Sequence, residues 1–217
     1  MLDYFVIFDI LEVTLKKGAS YLNQYFTNND NIRSERRIIK YNYDSISLSF
    51  ISDNGVFSKD RIDYGSRLLV DTYLKNKKEI NNFLDVGCGY GFVSILLAKV
   101  LGINGVGVDV NRRALKLAEE NAKLNKVNVE FKESNCYENI DGRYDLIISN
   151  PPIRAGKNIV LSILRGASDY LSDNGELWFV IRKDQGAKSV INEISSLYKI
   201  DIVEKSKGFF IIVAKKH

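Results

Sequence analysis

Histidine is almost missing from this sequence of 217 residues: the single one, His217, stands at the last position, where chain ends fray. Cysteine occurs twice, as Cys88 and Cys136. Two thiols without a histidine partner in the core cannot complete a tetrahedral zinc site, so no metal is expected. They are also too few for a disulfide framework, which points to a reducing, cytoplasmic setting. No G-x-x-x-x-G-K-[ST] run is present, and that excludes a P-loop. Nor is there a secretory leader. Leu2 to Val13 is apolar-rich, but Asp9 and Glu12 interrupt it and Asp3 stands where a basic start is needed. The run is too short to span a bilayer, so no membrane partner is expected. Residues 1–35 read as an N-terminal extension, with a polar loop over 27–35. Internal repeats and low-complexity tracts are absent.

What remains is the balance of an ordinary globule, with 45% hydrophobic and 27% charged residues and enough length for one sizeable core. The net charge of +4 is mildly basic, short of a dedicated nucleic-acid coat. The cations cluster instead. Arg33, Arg36, Arg37 and Lys40 lie near the front and read equally well as a solvated face. Arg154 and Lys157 follow an Asn-Pro-Pro turn; Arg182, Lys183 and Lys188 follow a later strand. These last two groups each follow a turn or strand end, a placement where phosphates of a polynucleotide could be neutralised.

Period-2 alternation predicts two strands, 37–43 and 45–51, around Asp44: a small antiparallel cap. A helix is expected over 66–75. From residue 82 a β/α alternation begins, with strands at 82–86, 105–109, 127–131, 144–149, 175–182, 199–205 and 208–214. Helices are expected at 90–101, 111–125, 158–171 and 186–198. Asn111 can cap the second of these, with Ala114, Leu117, Ala118, Ala122 and Leu124 as its buried stripe. The short Lys207-Gly208 turn cannot hold a crossover, so the last two strands must form an antiparallel hairpin. Trp178, on a strand, reads as core.

The most informative run is Phe83-Leu84-Asp85-Val86-Gly87-Cys88-Gly89-Tyr90-Gly91, with Val106-Gly107-Val108-Asp109 one β/α unit later. Glycine tolerates positive φ and has no Cβ, so a ligand can lie almost on this backbone. A second carboxylate at the next strand end marks a nucleoside crevice at the carboxyl edge of a parallel sheet. The dinucleotide fingerprint G-x-G-x-x-G does not fit, because Phe92 holds its third glycine position. Cys88, inside the turn, reads as a small apolar filler. A further strand, Tyr144 to Ser149, leads straight into Asn150-Pro151-Pro152-Ile153. Alone, Asn-Pro is a turn initiator. At the end of the fourth strand of the series it opens onto the same sheet edge as the glycine turn.

The pattern D-x-G-x-G-x-G with a downstream acid resembles the class I S-adenosylmethionine methyltransferases. Asn150 to Ile153 resembles the N-P-P-[Y/F/I] motif of members that act on planar, amide-like nitrogens. Gly55 to Leu69, the glycine turn, Asn150 to Lys157 and Gln185 to Lys188 together resemble the small-methyltransferase domain of ribosomal small-subunit guanine-N2 methyltransferase C, from about residue 36 to the end. The resemblance implies an α/β, Rossmann-like fold: a seven-stranded, mainly parallel sheet with an antiparallel C-terminal hairpin strand and a small N-terminal β cap. Residues 36–217 would form one methyltransferase domain, with the cap and a donor-closing segment over 36–65.

The resemblance also implies the site. S-adenosylmethionine is the expected cofactor, with Asp63, Gly65 and Ser66 beside its methionine end and Asp85, Gly87 and Gly89 around its amino-acid moiety. Asp109 would accept the ribose hydroxyls. Asn135 would accept the adenine amino group, an amide where many relatives carry an acid. The Asn150 oxygen and the Pro151 carbonyl would accept the two N–H bonds of the target amine, with Asn150 also touching the donor. Such an amine is a poor nucleophile, because its lone pair is delocalised into the ring. Acceptors fixed beforehand by a proline-stiffened loop favour a pyramidal nitrogen. Pro152 and Ile153 would meet the base; Arg154, Lys157, Arg182, Lys183 and Gln185 would meet the rest of the substrate. The implied partner is ribosomal RNA or the assembling small subunit, acted on by a monomer or weak homodimer. Isoleucine at 153 disfavours adenine-N6 and protein glutamine-N5 methylation, whose enzymes usually carry an aromatic there. An inactive RNA-binding module is the non-enzymatic alternative.

Overall fold

The computed structural model describes residues 32–217. Residues 1–31, most of the expected extension and the start of its polar loop, lie outside the described residues. The chain begins with a hairpin of β1 (Arg37–Tyr43) and β2 (Ile46–Ser52), antiparallel and turning at Asp44, which takes φ 48°. Helix α1 (Tyr64–Asn76) follows. The alternation then runs β3 (Phe83–Val86), α2 (Phe92–Leu101), β4 (Gly105–Asp109), α3 (Arg112–Asn125), β5 (Val129–Glu133), β6 (Tyr144–Ser149), α4 (Lys157–Tyr170), β7 (Leu171–Arg182), α5 (Ala187–Ile194), β8 (Tyr198–Ser206) and β9 (Phe209–Lys216).

The last seven strands form one sheet in the order β5-β4-β3-β6-β7-β9-β8. Only β9 is reversed, antiparallel to both β7 and β8. Both faces are covered, as a parallel sheet requires. One face packs under α1, α2, α3 and the hairpin, with Ile95, Leu96 and Leu97 fully buried. The other packs under α4 and α5 around Leu164, Phe179 and Ile212. Trp178 is core: 3% exposed, edge-on to Tyr73, its Nε1–H donating to Glu176.

The third strand of the series starts two residues later than expected. Lys126 takes a left-handed φ of 56°, and the Val127 N–H turns back to the Ala122 carbonyl, so residues 126 and 127 finish α3. Helix α5 stops at Ile194, short of the expected 198, and Tyr198 opens β8 with its hydroxyl donating to the Leu164 carbonyl.

The buried stripe of α3 needs one correction. Leu124 is 48% exposed, whereas Asn121 and Asn125 are buried. At i, i+4 these two amides sit at the centre of the stripe, facing the outer edge of β2. Asn121 accepts the Ile51 N–H (2.7 Å) and donates to the Ile51 carbonyl (2.9 Å). Asn125 does the same for Ser49, at 3.1 and 2.8 Å. Asn121 also reaches the Tyr90 carbonyl in the glycine turn. Two side chains thus replace a missing strand neighbour and fasten the cap to the nucleoside crevice. Leucine here would strand the backbone groups of an edge strand, at about 1–3 kcal/mol each.

Candidate active site

Strands β3 and β6 are parallel neighbours, with Asp85 opposite Ile148, so their carboxyl ends lie side by side. The Ser149 hydroxyl donates to the Val86 carbonyl at 2.7 Å and ties those ends together. The glycine turn and the Asn150 turn therefore share one rim.

The three turn glycines divide by role. Gly87, Gly89 and Gly91 all have positive φ, at 80°, 55° and 88°. A Cβ on Gly91 would sit 3.1 Å from Ala118 and Ile95, so this glycine serves packing. A Cβ on Gly87 or Gly89 would meet no protein atom within 4 Å. Bare backbone facing open space is what a donor lying against the chain needs. The Asp109 carboxylate is held beside it, Oδ2 accepting the Gly89 N–H and Oδ1 the Asn111 N–H, both at 2.9 Å. Burial raises the Asp109 pKa, and these two N–H donors oppose the rise.

Asp85 is 2% exposed and lies beneath the turn. Its Oδ2 accepts both the backbone N–H (3.1 Å) and the hydroxyl (2.5 Å) of Ser94 in the first turn of α2. Burial pushes its pKa up to about 7, with the Asp109 charge adding to the rise.

Asp63 caps α1 by accepting the Ser66 N–H at 2.8 Å. The same oxygen accepts from Asn150 Nδ2 at 3.1 Å, and Ser66 Oγ accepts from it at 2.8 Å. A carboxylate can only accept, so the amide nitrogen of Asn150 is fixed on this side and Oδ1 faces away from it. Among the described residues no hydrogen bond engages that oxygen. Gly65 is held close by Phe209, whose ring would lie 3.1 Å from a Cβ there. Pro151 is buried, and its carbonyl accepts the Ile153 N–H at 2.9 Å, leaving one lone pair. Pro152 and Ile153 are partly buried. A cavity of about 190 Å3 opens beside Ile153, with Val160, Val190 and Gln185 in its wall.

The basic residues expected at the substrate are not equivalent. Arg154 is exposed. Lys157 is drawn to Ser189 and Glu193, both at 3.0 Å. Arg182 pairs with Asp184 through two bonds of 3.0 Å. Lys183 and Gln185 are exposed in the short turn after β7. Asn135 is exposed beyond β5, its Nδ2 donating to Glu138 at 2.9 Å.

Three features escaped the sequence reading. Ser149 carried no signal beyond its strand. Asn111 was legible as a cap, but its Nδ2–H also donates to the Gly55 carbonyl at 2.9 Å, joining the crevice to the segment before α1. Tyr64 and Phe209 come together only through the fold, 5.5 Å apart. Among the described residues, no group of three or more His, Cys, Asp or Glu side chains is placed to hold a metal, and no helix is long and apolar enough to cross a membrane.

Comparison with known proteins puts this chain among the class I S-adenosylmethionine-dependent methyltransferases. Residues 47–213 match the methyltransferase small domain, and the chain belongs to that family. It is 39% identical over 197 residues to the uncharacterised protein YbxB of Bacillus subtilis, covering 88% of this chain and 98% of that one. It is 34% identical over 157 residues to a putative protein N5-glutamine methyltransferase of Methanocaldococcus jannaschii, covering 62% of this chain and 80% of the relative. With the ribosomal RNA small subunit methyltransferase C of Escherichia coli it shares 32% identity over 166 residues, 74% of this chain, but it spans only 47% of that enzyme. In fold it is similar to the Thermus thermophilus 16S rRNA N2 G1207 methyltransferase in complex with AdoMet and guanosine, with a TM-score of 0.74 and 19% identity over 87% of this chain and 53% of the other.

Proposed function

We propose that the chain methylates the exocyclic N2 of a guanine in small-subunit ribosomal RNA, in the cytoplasm, and that residues 36–217 suffice as the catalytic domain. One observation carries the acceptor class: the Asn150 amide is locked nitrogen-inward by Asp63 and Ser66, leaving an acceptor oxygen for the N–H of a flat amine. S-adenosylmethionine, when bound, supplies a methyl group already activated by its positive sulfur. Gly87, Gly89 and Asp109 would hold it, with Asn135 at the adenine. Asp85 would act from below by fixing the turn. Asn150 Oδ1 and the free lone pair of the Pro151 carbonyl hold the two amine protons, which turns the nitrogen lone pair out of the ring. Such positioning is worth on the order of 7–11 kcal/mol of barrier when complete. The methylated nitrogen then loses one proton to water, so no general base is needed. The target base must leave any stack to enter, with Ile153 as an apolar shelf and Arg154, Lys183 and Gln185 at the mouth.

Identity to small-subunit methyltransferase C and an aliphatic residue at 153 support guanine. The archaeal relative favours a second reading, a protein glutamine amide, whose planar nitrogen presents the same two protons. Mass spectrometry of ribosomal RNA nucleosides from cells with and without the gene separates the two. Loss of N2-methylguanosine is expected. Unchanged nucleosides together with loss of a methylated glutamine would overturn the proposal.

A further inference from the structure

Three of the four cation–ring contacts among the described residues gather at one corner of the molecule, and the fourth, Lys205 over Phe210, lies on the other face of the sheet. Arg67 lies over the Tyr64 ring, 5.3 Å from its centroid, and Lys207 lies over the same ring at 5.0 Å. Arg182 lies over Phe209 at 5.3 Å, and Lys205 over Phe210 at 5.4 Å. The first residue of α1 and the β8–β9 turn build this corner. The Tyr64 hydroxyl bonds Ser206 at 2.8 Å, and the Lys183 N–H closes onto the Gly208 carbonyl at 2.9 Å. The corner adjoins the reacting notch, because Tyr64 stands between Asp63, which holds the Asn150 amide, and Gly65, against which Phe209 packs.

A ring face holds a cation without cancelling its charge. Several cations elsewhere are matched to carboxylates, as Arg112 is to Glu133 and Lys157 and Arg165 are to Glu193. At the corner Arg67 and Lys207 make no ion pair among the described residues, and Arg182 pairs with Asp184. Cations oriented by rings beside an acceptor notch suit a polyanion, even with Asp71 offsetting part of the Arg67 charge. A neutral protein amide calls for no such arrangement.

We propose that Arg67, Arg182 and Lys207, held on the Tyr64 and Phe209 rings, receive the phosphates of the single-stranded RNA that flanks the target base. The inference rests on the RNA reading above and adds the track along which the strand reaches Asn150. Phosphate contact by two exposed cations contributes about 0.7 each to the slope of log affinity against log salt for single strands.

The test is the binding of a short fluorescein-labelled single-stranded RNA, by anisotropy across a salt series, to the wild type and to the Arg67→Ala/Lys207→Gly double variant. Glycine suits the left-handed backbone at 207, where φ is 49°. Calorimetric donor binding serves as the folding control. The expected result is at least a tenfold weaker RNA affinity at low salt, a slope shallower by about 1.4, and unchanged donor affinity. A second variant, Tyr64→Leu, keeps the apolar packing but removes the ring face, and is expected to weaken RNA binding in the same direction. If the variants bind RNA with the affinity and slope of the wild type, this corner is overturned while the RNA reading stands. If the wild type binds no RNA at any salt, both fall together.

Discussion

Asn150 Nδ2 lies 3.1 Å from Asp63 Oδ2, across 87 residues of sequence, and this contact fixes which end of the amide points inward. Asn150→Ala is expected to lower methyl transfer about 10²–10³-fold, the usual cost of deleting one preorganised hydrogen-bonding group, with donor affinity nearly intact. Asn150→Asp sets two carboxylates against each other, so its residual activity should fall further as pH rises and the shared proton is lost. Steady-state rates across pH with calorimetric donor titration check both. Equal loss of rate and donor affinity in Asn150→Ala would make Asn150 a scaffold residue.

Gly89→Ala separates space from strain. Its left-handed backbone costs a non-glycine residue roughly 1–2 kcal/mol, while the new methyl touches no protein atom within 4 Å. A drop of a few degrees in melting temperature is expected alongside a more than tenfold loss of donor affinity. Asp109→Ala should weaken donor binding too, and unchanged affinity in that variant would remove the ribose assignment.

Asn121→Ala leaves the Ile51 N–H and carbonyl and the Tyr90 carbonyl without their partner. A stability loss of about 2–4 kcal/mol by urea denaturation follows from the cost of unsatisfied groups. Faster proteolysis within residues 37–62 should accompany it, because the amide is what holds the cap. A loss below 0.5 kcal/mol would mean that water replaces the amide without penalty.

Asp85 gives the fold a pH dependence of definite sign. Its native carboxyl keeps its proton to about pH 7, against an ordinary value of 3.8 in the unfolded chain. Between these limits the folded state binds more protons, so stability falls as pH rises through the window and levels off above it. Asp109, also raised by burial, acts in the same direction. Asp85→Asn retains an acceptor for Ser94 and should flatten the fall. Urea midpoints at about pH 5 and pH 8 measure it, and an equal fall in variant and wild type would refute the assignment.

The sheet was legible in the sequence because its strands are short apolar runs closed by glycine or Asn-Pro, and because a two-residue turn leaves the last two strands one possible pairing. Periodicity placed Leu124 inside and could not place Asn121 and Asn125, since an amide enters a core only when specific backbone groups await it. Those groups belong to β2, some 70 residues away in sequence. The glycine turn and Asn150 were readable as local motifs. The nitrogen-inward lock on Asn150, the Ser149 tie and the ring-held cations are products of long-range closure, which no local pattern reports. The carboxylate partners of Lys157 and Arg182, Glu193 and Asp184, were not legible beforehand, because they gain meaning only once the fold sets distances.

The insertion of β9 between β7 and β8 has a consequence for biogenesis. As the polypeptide is made, β8 emerges first, yet among the described residues its only neighbour in the finished sheet is β9. Until Phe209–Lys216 are available, that edge has nothing to dock on, and Ile211, Ile212 and Ala214, all at 0% exposure in the mature fold, are missing from both of its layers. A nascent chain arrested at the Lys207 turn would therefore lack two strands and the corner beside Asn150, so competence should arrive late and all at once.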